Sequence, residues 1–186
     1  MTNDLRNARD WAALFCRMHS GFFEQPHIRA LPEDGVWEEM ALDLSGFSAD
    51  AVKIPVPEGI TFGLYRGEIE PLREVVRQVD ESWPVIFRPG WRVYCAFDGG
   101  QVASFCLLED MGTYDGLRVG GPGCVGTLPA WRRRGIGLKM VQNATEILKR
   151  EGFDLSYIHF TGVADWYARL GYRTVLRWSK TGIIGP

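Results

Sequence analysis

A chain of 186 residues with 46% hydrophobic and 12% aromatic content can bury one sizeable core, and its length favours one domain with an appendage over two full domains. With 21 basic against 23 acidic residues the formal net charge is −2, which argues against the broadly basic surface of a general nucleic-acid binder. Cys16, Cys95, Cys106 and Cys124 form no Cys-x-x-Cys or Cys/His cluster, so no metal and no disulfide framework is expected, only buried thiols in a reducing compartment. The polar start Met1-Thr2-Asn3-Asp4 has no apolar leader core, and no run reaches the ~18 apolar residues of a membrane span, so no membrane partner and a cytoplasmic location are expected.

In chain order, residues 4–23 place Leu5, Ala8, Trp11, Ala12, Phe15, Cys16, His19 and Phe22 at three- and four-residue steps, the mark of one apolar helical face. His19 reads as a buried or rim histidine of that helix, because a lone imidazole without a carboxylate at fixed spacing is not a mechanism. Residues 26–35, broken by Pro26, Pro32 and Gly35, read as loop. Val36, Trp37, Met40, Ala41 and Leu44 predict a second short helix, stopped at Ser45-Gly46. Pro55-Val56-Pro57 is a stiff spacer that sets off a helical N-terminal extension, residues 1–57, from a main domain, residues 58–186.

Beyond it, residues 60–65 predict a strand and residues 68–79 a helix with Pro71 in its first turn. Residues 91–97 and 101–108 predict a hairpin around Asp98-Gly99-Gly100. The run 117–128 is cut by Gly120, Gly121, Pro122, Gly123 and Gly126, so firm pairing is expected only over 124–128. Helices over 135–149 and 163–170 and strands over 154–160 and 172–179 complete the pattern. Gly121-Pro122-Gly123-Cys124-Val125-Gly126 fits Gly-x-Gly-x-x-Gly, but Pro129 follows and the helix starts only after the Arg run, so a dinucleotide fold is set aside.

The most informative stretch is that strand-to-helix junction, Leu128-Pro129-Ala130-Trp131-Arg132-Arg133-Arg134-Gly135-Ile136-Gly137-Leu138-Lys139. A helix start presents backbone N–H groups without partners, aligned with the positive end of the dipole, and an anion is their natural occupant. Gly135 and Gly137 let a bulky phosphate approach those amides, and Arg132, Arg133 and Arg134 add mobile positive charge.

Arg132-x-x-Gly135-x-Gly137 resembles the acyl-CoA pyrophosphate loop of the GNAT superfamily of N-acetyltransferases, and Trp166-Tyr167-Ala168-Arg169-Leu170-Gly171-Tyr172 resembles the same family's Phe-Tyr-x-x-x-Gly-Phe segment. The resemblance covers roughly residues 60–180. It implies an α/β fold: a mixed, mostly antiparallel sheet with one splayed parallel strand pair, flanked by helices. It implies acetyl-CoA as co-substrate, held by Gly126, Thr127 and Leu128 in the splay and by Arg132, Arg133, Arg134, Gly135, Ile136, Gly137, Leu138 and Lys139 at the pyrophosphate, with the acetyl group passed directly to a primary amine. The acceptor is a small molecule or peptide, and the N-terminal helices are expected to cover it or to build a homodimer contact. The family's tyrosine, matched to Tyr167, is usually the general acid. Residues 119–128 contain no Asp or Glu, a departure from many members, so Glu109, ahead of Asp110 and Asp115, is the candidate base. A non-catalytic acyl-CoA-binding or sensing module is the alternative.

Overall fold

The computed structural model describes residues 10–185, so the start of the first expected helix, residues 4–9, lies outside the described residues. The order is α1 (Trp11–Met18), α2 (Pro26–Arg29), β1 (Trp37–Asp43), β2 (Ile60–Leu64), α3 (Ile69–Arg77), β3 (Val93–Asp98), β4 (Gln101–Tyr114), β5 (Leu117–Thr127), α4 (Ile136–Arg150), β6 (Leu155–Thr161), α5 (Ala164–Ala168), β7 (Arg173–Ser179) and β8 (Gly182–Gly185). The strands form one sheet in the order β2-β3-β4-β5-β6-β1-β7-β8. β5 and β6 pair in parallel, and the other neighbours pair antiparallel.

Helices cover both faces. On one, α4 packs Leu138, Met140, Val141 and Ala144 against Cys106 and Leu108 of β4 and Ile158 of β6, with Tyr167 and Leu170 beside them. On the other, α3 packs Leu72 and Val76 against Phe105 and Leu107, and α1 packs Trp11 and Leu14 against Val119, Leu155 and Tyr157. Asp10 starts α1 by accepting a bond from the Ala13 N–H at 2.9 Å, a cap that satisfies one orphan donor. The expected mostly antiparallel α/β sheet with one parallel pair is present.

Two local expectations about the sheet are overturned, and the stretch 26–35, expected as loop, opens instead with α2. Residues 36–44 are not a helix: Trp37–Asp43 is a strand inside the sheet, between β6 and β7. Its side chains do alternate, since Trp37 and Ala41 pack toward the α1 face and Met40 toward α4. The residue between, Glu39, is fully buried. A charged residue in the middle of an apolar face hides a two-residue period and leaves a spacing that imitates a helix. So the 1–57 stretch, expected to be helical, contributes a sheet strand.

The second concerns β5, which is a strand over its whole glycine-rich length and pairs with β4 from Leu117 to Thr127. Its glycines make room for neighbours: a Cβ on Gly121 would lie 1.9 Å from the Tyr157 carbonyl oxygen, one on Gly123 2.5 Å from the Glu109 carboxylate, and one on Gly126 2.3 Å from the Phe105 ring. Pairing between β5 and β6 is confined to Val119 with Leu155 and Gly120 with Ser156. Past that point the two strands part.

Candidate functional site

The gap between β5 and β6 opens beside the start of α4. Gly135, at the N-cap, has φ +77°, a left-handed conformation that suits glycine. Among the described residues, none of the backbone N–H groups of Arg134, Gly135, Ile136, Gly137 and Leu138 donates a hydrogen bond; the first that does is Lys139, to Gly135 O at 2.9 Å. Four or five donors thus face outward together. A Cβ on Gly135 would meet Pro55 O at 2.4 Å, and one on Gly137 would meet Thr127 Oγ1 at 2.6 Å, so both positions admit only glycine without rearrangement.

These amides open on a cavity of about 950 Å³ that runs from the Arg132–Leu138 loop along Val125, Gly126 and Thr127 to Trp166 and Tyr167, with residues 52–57 as its far wall. The cavity therefore brings together Gly126, Thr127, Arg132, Arg133, Arg134, Gly135, Ile136, Gly137, Leu138 and Tyr167. Leu128 and Lys139 are not in its lining. The Leu128 N–H donates to Ala103 O at 3.0 Å, and the Lys139 ammonium to Gln142 Oε1 at 2.8 Å. Arg132 is also engaged, with Nε on Thr127 O at 2.9 Å, which clamps the turn. Among the described residues, Arg133 and Arg134 form neither an ion pair nor a hydrogen bond, and they remain available to a ligand.

Tyr167 stands at the inner end of the cavity with 6% of its surface exposed, edge-on to Trp166 and near Tyr172. Burial raises its phenol well above the ordinary value, so it stays protonated through the neutral and mildly basic range. Cys124, whose thiol burial pushes up to about 12, is kept from ionising nearby.

The opposite face of the sheet carries the carboxylates. Glu109, on β4, lies against Gly123; burial raises its carboxyl. The other two candidates are held elsewhere: Asp110 accepts from Arg118 at 2.8 Å and Asp115 from Arg17 at 2.7 Å.

Beside Glu109 the fold assembles a group that no stretch of sequence displays. His159 Nδ1 lies 2.9 and 3.0 Å from the two oxygens of buried Glu39, which also accept from Phe160 N at 3.1 Å and Trp178 Nε1 at 2.7 Å. The His19 ring stacks on His159 with centroids 3.9 Å apart and planes 14° apart. Ligand-capable atoms of His19, Glu39 and His159 fall within 4.8 Å of one another. Near-parallel rings keep their in-plane lone pairs in separate planes, so the arrangement is a ring stack on a hydrogen-bonded histidine–carboxylate pair and not a converging set of ligands. Desolvation, then the charge of His159, lowers the His19 pKa to about 3.

Residues 89–174 match the family model described as acetyltransferase (GNAT) domain. No curated protein matches this chain. Among solved structures, a GCN5-related glucosamine N-acetyltransferase region of a fungal multi-domain GH3 beta-N-acetylglucosaminidase is 24% identical with TM-score 0.64, over 79% of this chain and 20% of that one. A GCN5-related N-acetyltransferase from Kribbella flavida is 21% identical with TM-score 0.55, over 76% of this chain and 55% of its own. One from Sphaerobacter thermophilus is 22% identical with TM-score 0.57, over 77% of this chain and 50% of its own. This chain thus spans a fifth to about half of the length of these structures. At such identities the likeness is one of fold, and it agrees with the acetyltransferase (GNAT) domain matched over residues 89–174.

Proposed function

We propose that this chain binds acetyl-CoA in the cavity at the start of α4 and transfers the acetyl group directly to a primary amine that enters from the opposite face of the sheet. The observation that carries the reading is the row of unpartnered amides at Arg134–Leu138, opening on a slot that leads to Tyr167. A diphosphate supplies the anion those amides and the helix dipole call for, and glycine at 135 and 137 admits it. The parted edges of β5 and β6 leave backbone groups for an amide-bearing arm to pair with.

The co-substrate supplies an activated thioester, and the protein supplies position and protons. Tyr167 holds its proton at neutral pH and donates it to the departing thiolate. Glu109 draws the acceptor in its ammonium form to the mouth of the splay. Because α1 and Ala41 of β1 both reach that face, α1 and β1 are assigned to the acceptor side, and selectivity among small-molecule and peptide amines resides there, while residues 52–57 wall the acetyl-CoA cavity.

Calorimetry with coenzyme A, then thiol release from acetyl-CoA over a panel of amines, tests this. Tyr167→Phe is expected to bind coenzyme A as the parent does and to lose about 100-fold or more in kcat. No heat with coenzyme A rejects the reading. The absence of any carboxylate on β5 favours a binding module as the second reading; tight binding with no turnover on any amine would establish it.

A further inference from the structure

We propose that His159, held by the buried carboxylate of Glu39, is the group that takes the proton from the acceptor amine. This rests on the acetyl-transfer reading above and names its proton acceptor.

Glu39 is 0% exposed, deep in the sheet. Burying a carboxylate costs several kcal/mol or more unless donors surround it, and here three converge on it: Trp178 Nε1, Phe160 N and His159 Nδ1. Two of the three come from groups fixed by the sheet, and the third is an imidazole. With Nδ1–H donating to the carboxylate, the neutral ring is held in one tautomer with its lone pair on Nε2. Among the described residues Nε2 has no protein partner, and the side chain keeps 26% of its surface open. An imidazole in that state is a base with its free nitrogen on the partly open side chain, oriented by the carboxylate behind it.

The titratable groups facing His159 are Glu39 from β1, His19 from α1 and Glu109 from β4; Tyr157 of β6 shares the Glu39 carboxylate. His19 stacks on the ring but stays neutral, so it does not repel the imidazolium. Glu109 lies against Gly123 of β5, and His159 sits on β6 past its last pair with β5, on the α1 face opposite the cluster that holds Tyr167; an amine entering from that face would meet the proton acceptor before the donor. The ammonium gives its first proton to His159 Nε2, which passes it to solvent; the freed amine nitrogen then bonds to the acetyl carbon and gives its second proton to the same Nε2. The carbon–sulfur bond breaks, and the thiolate takes the proton of Tyr167. His159 then releases its proton to solvent and Tyr167 regains one from it, so the balance closes.

His159→Gln keeps a donor for Glu39, and Glu109→Gln serves as the comparison. With the wild type turning over its best amine from the panel, His159→Gln is expected to lose about 100-fold or more in kcat, to lose the acidic limb of kcat/KM, and to keep the KM for acetyl-CoA. Glu109→Gln should chiefly raise the KM for the amine and keep that limb. In Glu39→Gln the carboxylate that fixes the ring's tautomer is gone, so kcat should fall while the KM for acetyl-CoA is kept. Added imidazole should restore activity to His159→Gly, which a merely structural role for the ring would not allow. Unchanged kcat and limb in His159→Gln, or loss of the limb in Glu109→Gln alone, overturns this assignment and leaves acetyl transfer standing. A wild type that acetylates no amine removes both.

Discussion

The two faces of this sheet carry sites of opposite construction. On the α4 face the recognition elements are backbone amides from one continuous run, Arg134–Leu138, shaped by glycines at 135 and 137. On the α1 face they are side chains, His19, Glu39, Glu109 and His159, contributed by four separate elements, with Glu39 and His159 separated by 120 positions. A site of amides depends on local conformation, and so on short-range sequence. A site of side chains depends on strand order and register, which no local pattern states. The same contrast predicts how each fails: the first through backbone geometry, the second through protonation.

The largest effect is expected where the backbone is least forgiving. Gly135→Val forces a branched side chain into φ +77° and drives its Cβ toward the Pro55 carbonyl, 2.4 Å away even for a single methyl. The left-handed conformation costs about 1–2 kcal/mol by itself, enough to lower Tm by about 2–8 °C in a chain of this size. Binding of coenzyme A should vanish from calorimetry, because the displaced turn no longer aims its amides. A variant that folds and binds coenzyme A as the wild type does would break the contrast, by showing that the amides of this turn are not what holds the ligand.

That contrast also explains what the sequence disclosed. The Arg132-x-x-Gly135-x-Gly137 run marks the turn whose amides go unpartnered, and Trp166, Tyr167, Gly171 and Tyr172 mark the segment that brings Tyr167 to the cavity. The hairpin at Gly99-Gly100 and the helix over Ile136–Arg150 follow from turn chemistry and periodicity. The strand Trp37–Asp43 was hidden by one residue, Glu39, whose burial inverts the usual meaning of a carboxylate. The same residue holds His159, so a single misread position conceals both a strand inside the sheet and the hydrogen-bonded histidine–carboxylate pair of the α1 face. β5 was obscured in another way: its glycines break strand propensity, yet each is where a neighbour's atoms fill the space of a side chain.

A smaller effect sharpens the electrostatic part of the α4-face site. Arg132 is tied to Thr127 O, whereas Arg133 and Arg134 have no partner among the described residues. Replacing both Arg133 and Arg134 by Ala should weaken coenzyme A binding on the order of tenfold at low salt, the scale of a charge-assisted contact. The difference from wild type should shrink as salt rises and screens the exposed guanidinium groups. A deficit that does not change with salt would mean that these side chains act by packing the loop and not by charge.

The smallest effect concerns His19, and it probes the protonation side of the contrast. Its pKa, lowered to about 3 by desolvation and then by His159, lies below the ordinary 6.5. Above pH 6.5 both folded and unfolded chains leave this ring neutral, and it contributes nothing to the pH dependence. As pH falls below 6.5 the unfolded chain gains a proton that the folded chain refuses until about pH 3, so stability drains away across that window. His19→Phe keeps an aromatic ring on the stack and removes both the titration and a buried Nε2 that has no hydrogen-bond partner. Its melting temperature should equal or exceed that of the wild type at pH 8, and the gap should widen steadily in its favour toward pH 4. Carboxylates titrate in both proteins and cancel in the difference, so parallel melting curves across this range would mean that the His19 ring takes up its proton in the folded chain as readily as in the unfolded one.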